Sequence, residues 1–152
     1  MAFIPSRSSS RSAARTTHRG EEIEQARVIK WSHKVAVRDL MPALRWLHHS
    51  PNGGKRDAMA GAQMKALGVK KGFPDLILPV RVTADNLLGF HPGLVIEMKS
   101  ATGSTSPEQK EWLAHFEAQD WEIRVARSAS EARTHLCQYL GIPPNQAPAL
   151  ED

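Results

Sequence analysis

The segment KKGFPDLILPV, residues 70–80, and the segment GLVIEMKS, residues 93–100, decide how this chain folds. Each contains a short, mostly apolar run, and such runs are typical of buried strands. Asp75 opens the first run, whereas Glu97 and Lys99 lie at the end of the second. Because an unpaired charge is expensive to bury, we expect these three side chains to meet in one site that compensates them.

The rest of the chain supplies helices and one further strand around these two runs. Apolar residues at helical spacing predict a first helix from Glu21, with a kink or break at Pro42. The later elements are expected to be a short helix over residues 57–67, a helix over residues 104–119 with a capping box of Ser106 and Gln109, a strand over residues 121–127, and a last helix that ends at Gly141. This order predicts an α/β domain in which helices flank one sheet.

Charge and composition divide the 152 residues into three parts. Residues 1–20 contain four arginines and no acid, and we expect a disordered basic tail there. Residues 21–141 are predicted to form the domain, and the Pro-rich residues 142–152 a flexible C-terminal tail. A basic segment on a formally neutral body favours a polyanionic partner, although a solubilising leader is the alternative.

Several classes of protein are excluded by what the sequence lacks. No run of 18 apolar residues is present, so we expect no membrane-spanning helix, and no long apolar N-terminal stretch marks a signal peptide. Cys137 is the only cysteine, which rules out an internal disulfide and the zinc patterns built on paired cysteines. A reducing, cytoplasmic location is therefore expected.

Asp75 and Glu97 would meet at one edge of the sheet if their strands are antiparallel neighbours. Lys99 lies two residues after Glu97 and would point to the same face of the strand. Carboxylates without a Cys or His cluster suit Mg²⁺ or Mn²⁺, and a neighbouring lysine can offset charge on a phosphoryl oxygen. The alternative is that Asp75 is a turn residue and that Glu97 and Lys99 lie on an exposed edge strand.

Five segments, in this order along the chain, resemble the VRR-NUC nucleases of the PD-(D/E)xK superfamily. They are EEIEQ at 21–25, PNGGKR at 51–56, GFPD at 72–75, IEMK at 96–99 and SPEQ at 106–109. The resemblance covers roughly residues 21–141. It implies a restriction-endonuclease-like core with a mixed central sheet, and a metal-dependent endonuclease that hydrolyses phosphodiester bonds of DNA.

The resemblance also implies roles for residues of the two decisive segments. Asp75, Glu97 and the backbone carbonyl of Met98 would be ligands of Mg²⁺ or Mn²⁺. Lys99 would be the catalytic lysine, and Gln109 would support the site. A capping role alone also explains Gln109.

The first helix is expected to supply one more acid to this site. We favour Glu21 as the metal ligand, because it lies four residues before Gln25 and shares its helical face. Glu22 and Glu24 remain alternatives, and Gln25 would support the site.

A loosely basic run precedes the site and is predicted to contact DNA phosphates, with a solvated face as the alternative. Its members are Lys55, Arg56, Lys65, Lys70 and Lys71. His48 and His49 are interpreted as loop or surface residues.

Small, stand-alone members of this family look like Holliday-junction resolvases that act as homodimers, in bacteria or phage-infected cells. The resemblance therefore implies a branched DNA substrate and a homodimer. Two other functions are kept open: a non-catalytic nucleic-acid-binding module on a nuclease-like fold, and a nuclease with a sequence preference.

Overall fold

The computed structural model describes residues 8–51, 58–83 and 89–151. The helices and strands are α1 (Ser8–Ser32), α2 (Val35–Leu40), a 3₁₀ helix (Pro42–Trp46), β1 (His48–His49), α3 (Ala58–Ala66), β2 (Leu76–Leu78), β3 (Val82–Thr83), β4 (Phe90–His91), β5 (Leu94–Met98), α4 (Pro107–Ala118), β6 (Glu122–Ala126), α5 (Ala129–Tyr139) and a second 3₁₀ helix (Pro144–Gln146). Within these described ranges, none of the helices is both long and apolar enough to cross a lipid bilayer.

The central sheet has four strands in the order β1, β2, β5, β6. Strand β2 runs antiparallel to β5, with Leu76 opposite Ile96, and β6 runs parallel to β5. The prediction of an α/β fold with a mixed sheet between helices is therefore confirmed. Strands β3 and β4, between β2 and β5 in the sequence, form a separate two-stranded sheet.

The hydrophobic core lies between this sheet and the helices α1 and α5. All five residues of β5 are buried, which explains why its sequence is a continuous apolar run rather than an alternating one. Val28 and Trp31 on α1 and Leu136 on α5 are buried in the same core. These contacts fix the C-terminal half of α1 against the sheet.

Helix α1 begins thirteen residues earlier than the sequence predicted. It starts at Ser8 rather than Glu21, so residues 8–20, expected to be a disordered tail, are helical. Between Ser8 and Arg19 the chain contains neither Gly nor Pro, and it includes the good helix formers Ala13, Ala14 and Arg15. Because extending a helix is far easier than nucleating one, the turns anchored by the core propagate back through this segment. Residues 1–7 lie outside the described ranges.

The expectation of a flexible C-terminal tail is also wrong, because residues 142–151 form a strap that packs against α1 and α5. The Arg133 guanidinium donates to the carbonyl oxygens of Pro144, Ala147 and Pro148 at 2.8, 2.6 and 3.0 Å. The indole Nε1 of Trp31 donates to the Pro148 carbonyl at 2.8 Å. Proline lacks an N–H donor but keeps its carbonyl acceptor, so side chains from distant helices can order a Pro-rich segment.

Candidate active site

Asp75, Glu97 and Lys99 converge where β2 begins and β5 ends. The Asp75 Oδ2 atom accepts a hydrogen bond of 2.8 Å from the backbone N–H of Met98. The Lys99 ammonium lies 2.9 Å from Glu97 Oε1, and the two side chains are 8% and 1% exposed. The antiparallel pairing of β2 with β5 thus places all three charges at one edge of the sheet.

Gln109 is both a helix cap and part of this cluster. Its side-chain Oε1 accepts from the backbone N–H of Ser106 at 2.8 Å. The backbone N–H of Gln109 in turn donates to the Ser106 hydroxyl, which completes the capping box of α4. Its Nε2 donates to Glu97 Oε1. The amide therefore caps α4 and also joins the start of this helix to the end of β5, while its role in a catalytic site stays a prediction.

Of the three acids near the middle of α1, Glu21 lies at the cluster. Its Oε1 accepts from the backbone N–H of Ser100 at 2.8 Å. Burial raises the pKa of both Asp75 and Glu97, and the charge of Glu21 adds a smaller increase. Glu24 instead accepts from the backbone N–H of Ala129 at 2.7 Å, at the start of α5.

The carboxyl groups of Asp75 and Glu97 are largely buried and lie close enough to repel each other. Burial raises the pKa of Glu97 to about 7, the charge of Asp75 adds to this effect, and the Lys99 ammonium opposes it. Burial also raises the pKa of Asp75, against the effect of the hydrogen bond from Met98. The Oε2 atom of Glu97 is buried and has no hydrogen-bond partner. Keeping the buried carboxylates of this cluster negatively charged therefore costs free energy.

The GFPD segment explains how Asp75 reaches this position. Gly72 has a φ of +81°, and a Cβ there would lie 2.7 Å from the backbone carbon of Glu108. Phe73 packs edge-on against Trp112 of α4 with 5.0 Å between ring centroids, and Pro74 is buried. The segment thus packs the start of β2 against the first turns of α4. This packing places both Asp75 and Gln109 next to Glu97.

A cleft of about 360 Å³ opens beside Asp75. It is lined by Glu21, Glu22, Gln25, Ala26, Ile29, His49 and Asp75. The His49 Nδ1 atom lies 3.2 Å from the Asp75 carbonyl oxygen and also contacts the Gln25 amide nitrogen. Sequence reasoning placed His49 on the surface, and it is exposed, but strand β1 sets it opposite Leu76, next to Asp75. A two-residue strand gives no alternation that would have revealed this pairing.

The predicted DNA-contacting residues are only partly described by the structure. Lys55 and Arg56 lie outside the described residues. Lys70 and Lys71 are exposed, and the Lys71 ammonium pairs with Glu108 at 2.7 Å, which lowers the pKa of that carboxyl to about 2. Contact of these residues with DNA stays a prediction.

The fit of the cluster to a divalent cation rests on the chemistry of its donors. Among residues 8–51, 58–83 and 89–151, no group of three or more His, Cys, Asp or Glu side chains is arranged to hold a metal ion. The donors nevertheless suit Mg²⁺ or Mn²⁺, since they are hard carboxylate oxygens. One of them, Glu97 Oε2, is a buried acceptor without a partner, and a bound cation would satisfy it.

Comparisons with known proteins agree with this geometry. The family model of the VRR-NUC domain matches residues 7–130. A solved structure described as a VRR_NUC domain protein is 28% identical to this chain with a TM-score of 0.61, and the likeness covers 81% of this chain and 89% of that one. A search of curated proteins finds no match. The mixed sheet flanked by helices is consistent with the restriction-endonuclease-like core.

Proposed function

The chain belongs to the VRR-NUC family, a family of nuclease-like domains, and from this premise we propose that it is a divalent-metal-dependent endodeoxyribonuclease. The observation that carries the proposal is the meeting of Glu21, Asp75 and Glu97 with the Lys99 ammonium at one edge of the sheet. Asp75, Glu97 and the buried Lys99 at one sheet edge, with the charge of Glu21 nearby, are costly to fold, and a phosphodiester-cleaving site would account for them.

Asp75, Glu97 and the backbone carbonyl of Met98 would hold Mg²⁺ or Mn²⁺, with Glu21 as a further ligand. When bound, such a cation polarises a phosphoryl oxygen and lowers the pKa of bound water. The protein's part is to hold these oxygens close together. The hydrogen bond from the Met98 N–H fixes Asp75, and the Ser100 N–H fixes Glu21.

Lys99 would act on the charge that develops at the scissile phosphate. Its ammonium is nearly buried, and Glu97 Oε1 holds it at 2.9 Å, so its position is set before substrate arrives. A fixed cation in a site of low dielectric stabilises a developing phosphoryl charge more than a solvated one does. The same ammonium can orient an attacking water.

Gln109, Gln25 and His49 would position this machinery. Gln109 holds the Glu97 carboxylate from the start of α4, while Gln25 and His49 contact each other on the wall of the cleft beside Asp75. Each of these contacts restricts the rotamers of an acid or of a neighbouring group. Such restriction keeps reactive groups within the narrow geometry that hydrolysis needs.

We propose branched DNA, such as a Holliday junction, as the substrate and a homodimer as the acting form. The support is the family resemblance of a chain that matches the nuclease domain over residues 7–130. Two sites related by a two-fold axis would suit paired nicks in a four-way junction.

The test compares cleavage of labelled four-way, flap and linear duplex DNA by wild type and by Lys99→Met, with Mg²⁺, with Mn²⁺ and with EDTA. We expect metal-dependent cleavage that falls about 100-fold or more in Lys99→Met. Lys110→Met, which removes an exposed ammonium on α4, is the matched control and should cleave like wild type. Absence of cleavage in both metals, or cleavage that Lys99→Met leaves intact, would refute the proposal.

A non-catalytic binding module is the second candidate. It is favoured by the finding that no described group of acids and histidines is arranged to hold a metal ion. DNA binding that persists in EDTA, together with no turnover in either metal, would establish this function instead.

A further inference from the structure

A turn directly after Lys99 contacts the carboxylate of Glu21. The turn comprises residues 100–103 and is closed by a hydrogen bond of 3.1 Å from the Gly103 N–H to the Ser100 carbonyl oxygen. At its start, the Ser100 N–H donates to Glu21 Oε1 at 2.8 Å. At its end, a Cβ on Gly103 would lie 2.8 Å from Ser100 Oγ and 3.5 Å from Glu21 Oε1. The position of the turn therefore sets the position of this carboxylate.

Arg127, the residue after β6, binds this turn with its side chain. Its Nη1 donates to the carbonyl oxygens of Ser100, Ala101 and Gly103 at 2.9, 3.3 and 2.9 Å. Its backbone N–H donates to Glu131 Oε2 at 2.7 Å, which ties the arginine to the first turn of α5. Hydrogen bonds from an ionised donor are stronger than those between neutral groups. One guanidinium thus holds three carbonyl groups of the turn together.

Glu21 borders two clefts, so its side chain has room to take more than one conformation. It lies on the wall of the cleft beside Asp75. It also lies on the wall of a second cleft of about 370 Å³, together with Lys99, Ser100 and Arg127. A carboxylate with open space in two directions can adopt several rotamers. The hydrogen bond from the Ser100 N–H selects one of them.

The backbone of Lys99 is held separately from the turn that follows it. The Lys99 N–H donates at 2.8 Å to the carbonyl oxygen of Ala126, the last residue of β6. The Lys99 ammonium is in addition paired with Glu97 at 2.9 Å. Loss of the Arg127 side chain would leave both of these contacts in place. We therefore expect a displaced turn to move Glu21 and to leave the lysine where it is.

We propose that Arg127 is a positioning residue of the site, which holds Glu21 in place for a divalent cation by binding the turn of residues 100–103. This role rests on the proposed function, in which Glu21 is a ligand of Mg²⁺ or Mn²⁺. Arg127 acts through the Ser100 N–H and touches neither the cation nor the substrate. Loss of a group that orients a metal ligand typically lowers metal affinity about 10- to 100-fold.

The first measurement needs neither metal nor DNA. Amide hydrogen exchange is followed by NMR in EDTA for wild type, Arg127→Gln and Arg124→Gln. In Arg127→Gln the Ser100 and Gly103 amides should exchange about tenfold faster or more, because the turn that protects them loses its charged donor. Arg124→Gln is the matched control, since it removes an exposed guanidinium from β6 itself, and it should leave both exchange rates unchanged.

The second measurement is the Mn²⁺ affinity of the DNA-free protein, read from the EPR signal of free Mn²⁺. The dissociation constant should rise about tenfold or more in Arg127→Gln and stay unchanged in Arg124→Gln. The direction is informative, because removal of a positive charge beside the acids would by Coulomb's law alone strengthen cation binding. Arg127→Lys keeps the charge, but its ammonium ends one bond short of Nη1, so this variant should recover only part of the affinity.

Unchanged amide exchange or an unchanged Mn²⁺ affinity in Arg127→Gln would overturn the proposal, and so would an equal loss of affinity in Arg124→Gln. Lower DNA affinity in EDTA with unchanged Mn²⁺ affinity would also overturn it, since Arg127 would then contact phosphate directly. If Arg127→Gln does not fold, Arg127→Lys decides, with a smaller loss of Mn²⁺ affinity. Reduced Mn²⁺ affinity alongside a wild type that cleaves no DNA would sink the proposed function alone. Metal-dependent cleavage by wild type with unchanged Mn²⁺ affinity in Arg127→Gln would sink the positioning role alone.

Discussion

Glu97 should contribute to the pH dependence of the stability of the metal-free protein, and Glu97→Gln should remove that contribution. The carboxyl is fully buried, and burial followed by repulsion from Asp75 raises its pKa from 4.5 to about 7. A carboxyl with a higher pKa in the folded than in the unfolded state favours folding only while it is protonated. Its contribution is therefore complete below about pH 4.5 and is lost as the pH rises through 7.

The size of the effect follows from the shift. A rise of the Glu97 pKa from 4.5 to about 7 corresponds to about 3 kcal/mol of unfolding free energy in total. Linkage places most of that loss between pH 5 and pH 8. Glutamine has nearly the shape of the protonated acid and does not titrate, so the variant should gain this amount on wild type over the same interval.

The assay is urea unfolding in EDTA at pH 5, 6, 7 and 8, followed by tryptophan fluorescence. Glu117→Gln, the same change at an exposed carboxyl on α4, is the control and should show a difference from wild type that stays flat with pH. A Glu97→Gln difference that stays constant within about 0.5 kcal/mol, or that falls as the pH rises, would refute the electrostatic reasoning.

Two further predictions concern the backbone and the strap. Gly72→Ala should lower the unfolding free energy by at least about 2 kcal/mol, because φ is +81° and the new Cβ would lie 2.7 Å from the Glu108 backbone. Gly61→Ala in α3 is the control. Its new Cβ would meet nothing within 4 Å, so this variant should instead raise the unfolding free energy by up to about 1 kcal/mol. Arg133→Ala removes the donors to three carbonyls of the strap and should lower the unfolding free energy by about 2 kcal/mol. Both losses are read from urea midpoints.

Unchanged stability of the Gly72→Ala or the Arg133→Ala protein would contradict the corresponding prediction. A Gly72→Ala protein as stable as wild type would show that β2 and α4 can separate at no cost. An Arg133→Ala protein with an unchanged midpoint would show that residues 142–151 are held without this guanidinium.

The parts of the site that the sequence predicted were those encoded locally. A charged residue at either end of an apolar run is buried only if a partner compensates its charge. Asp75, Glu97 and Lys99 could be recognised as such residues without knowing the rest of the fold. The capping box of Ser106 and Gln109 is also local, since both residues belong to one turn. Such patterns depend on neighbours in sequence and are readable before the fold is known.

The parts that the sequence did not predict depend on contacts between distant segments. Strand β1 has two residues, and only its pairing with β2 sets His49 beside Asp75. The order of residues 142–151 depends on donors such as Trp31, 117 positions away from its acceptor. The four-residue spacing to Gln25 favoured Glu21 for the site, but the sequence did not predict that Glu24 accepts from the Ala129 N–H at the start of α5, because that contact depends on how α1 packs against α5.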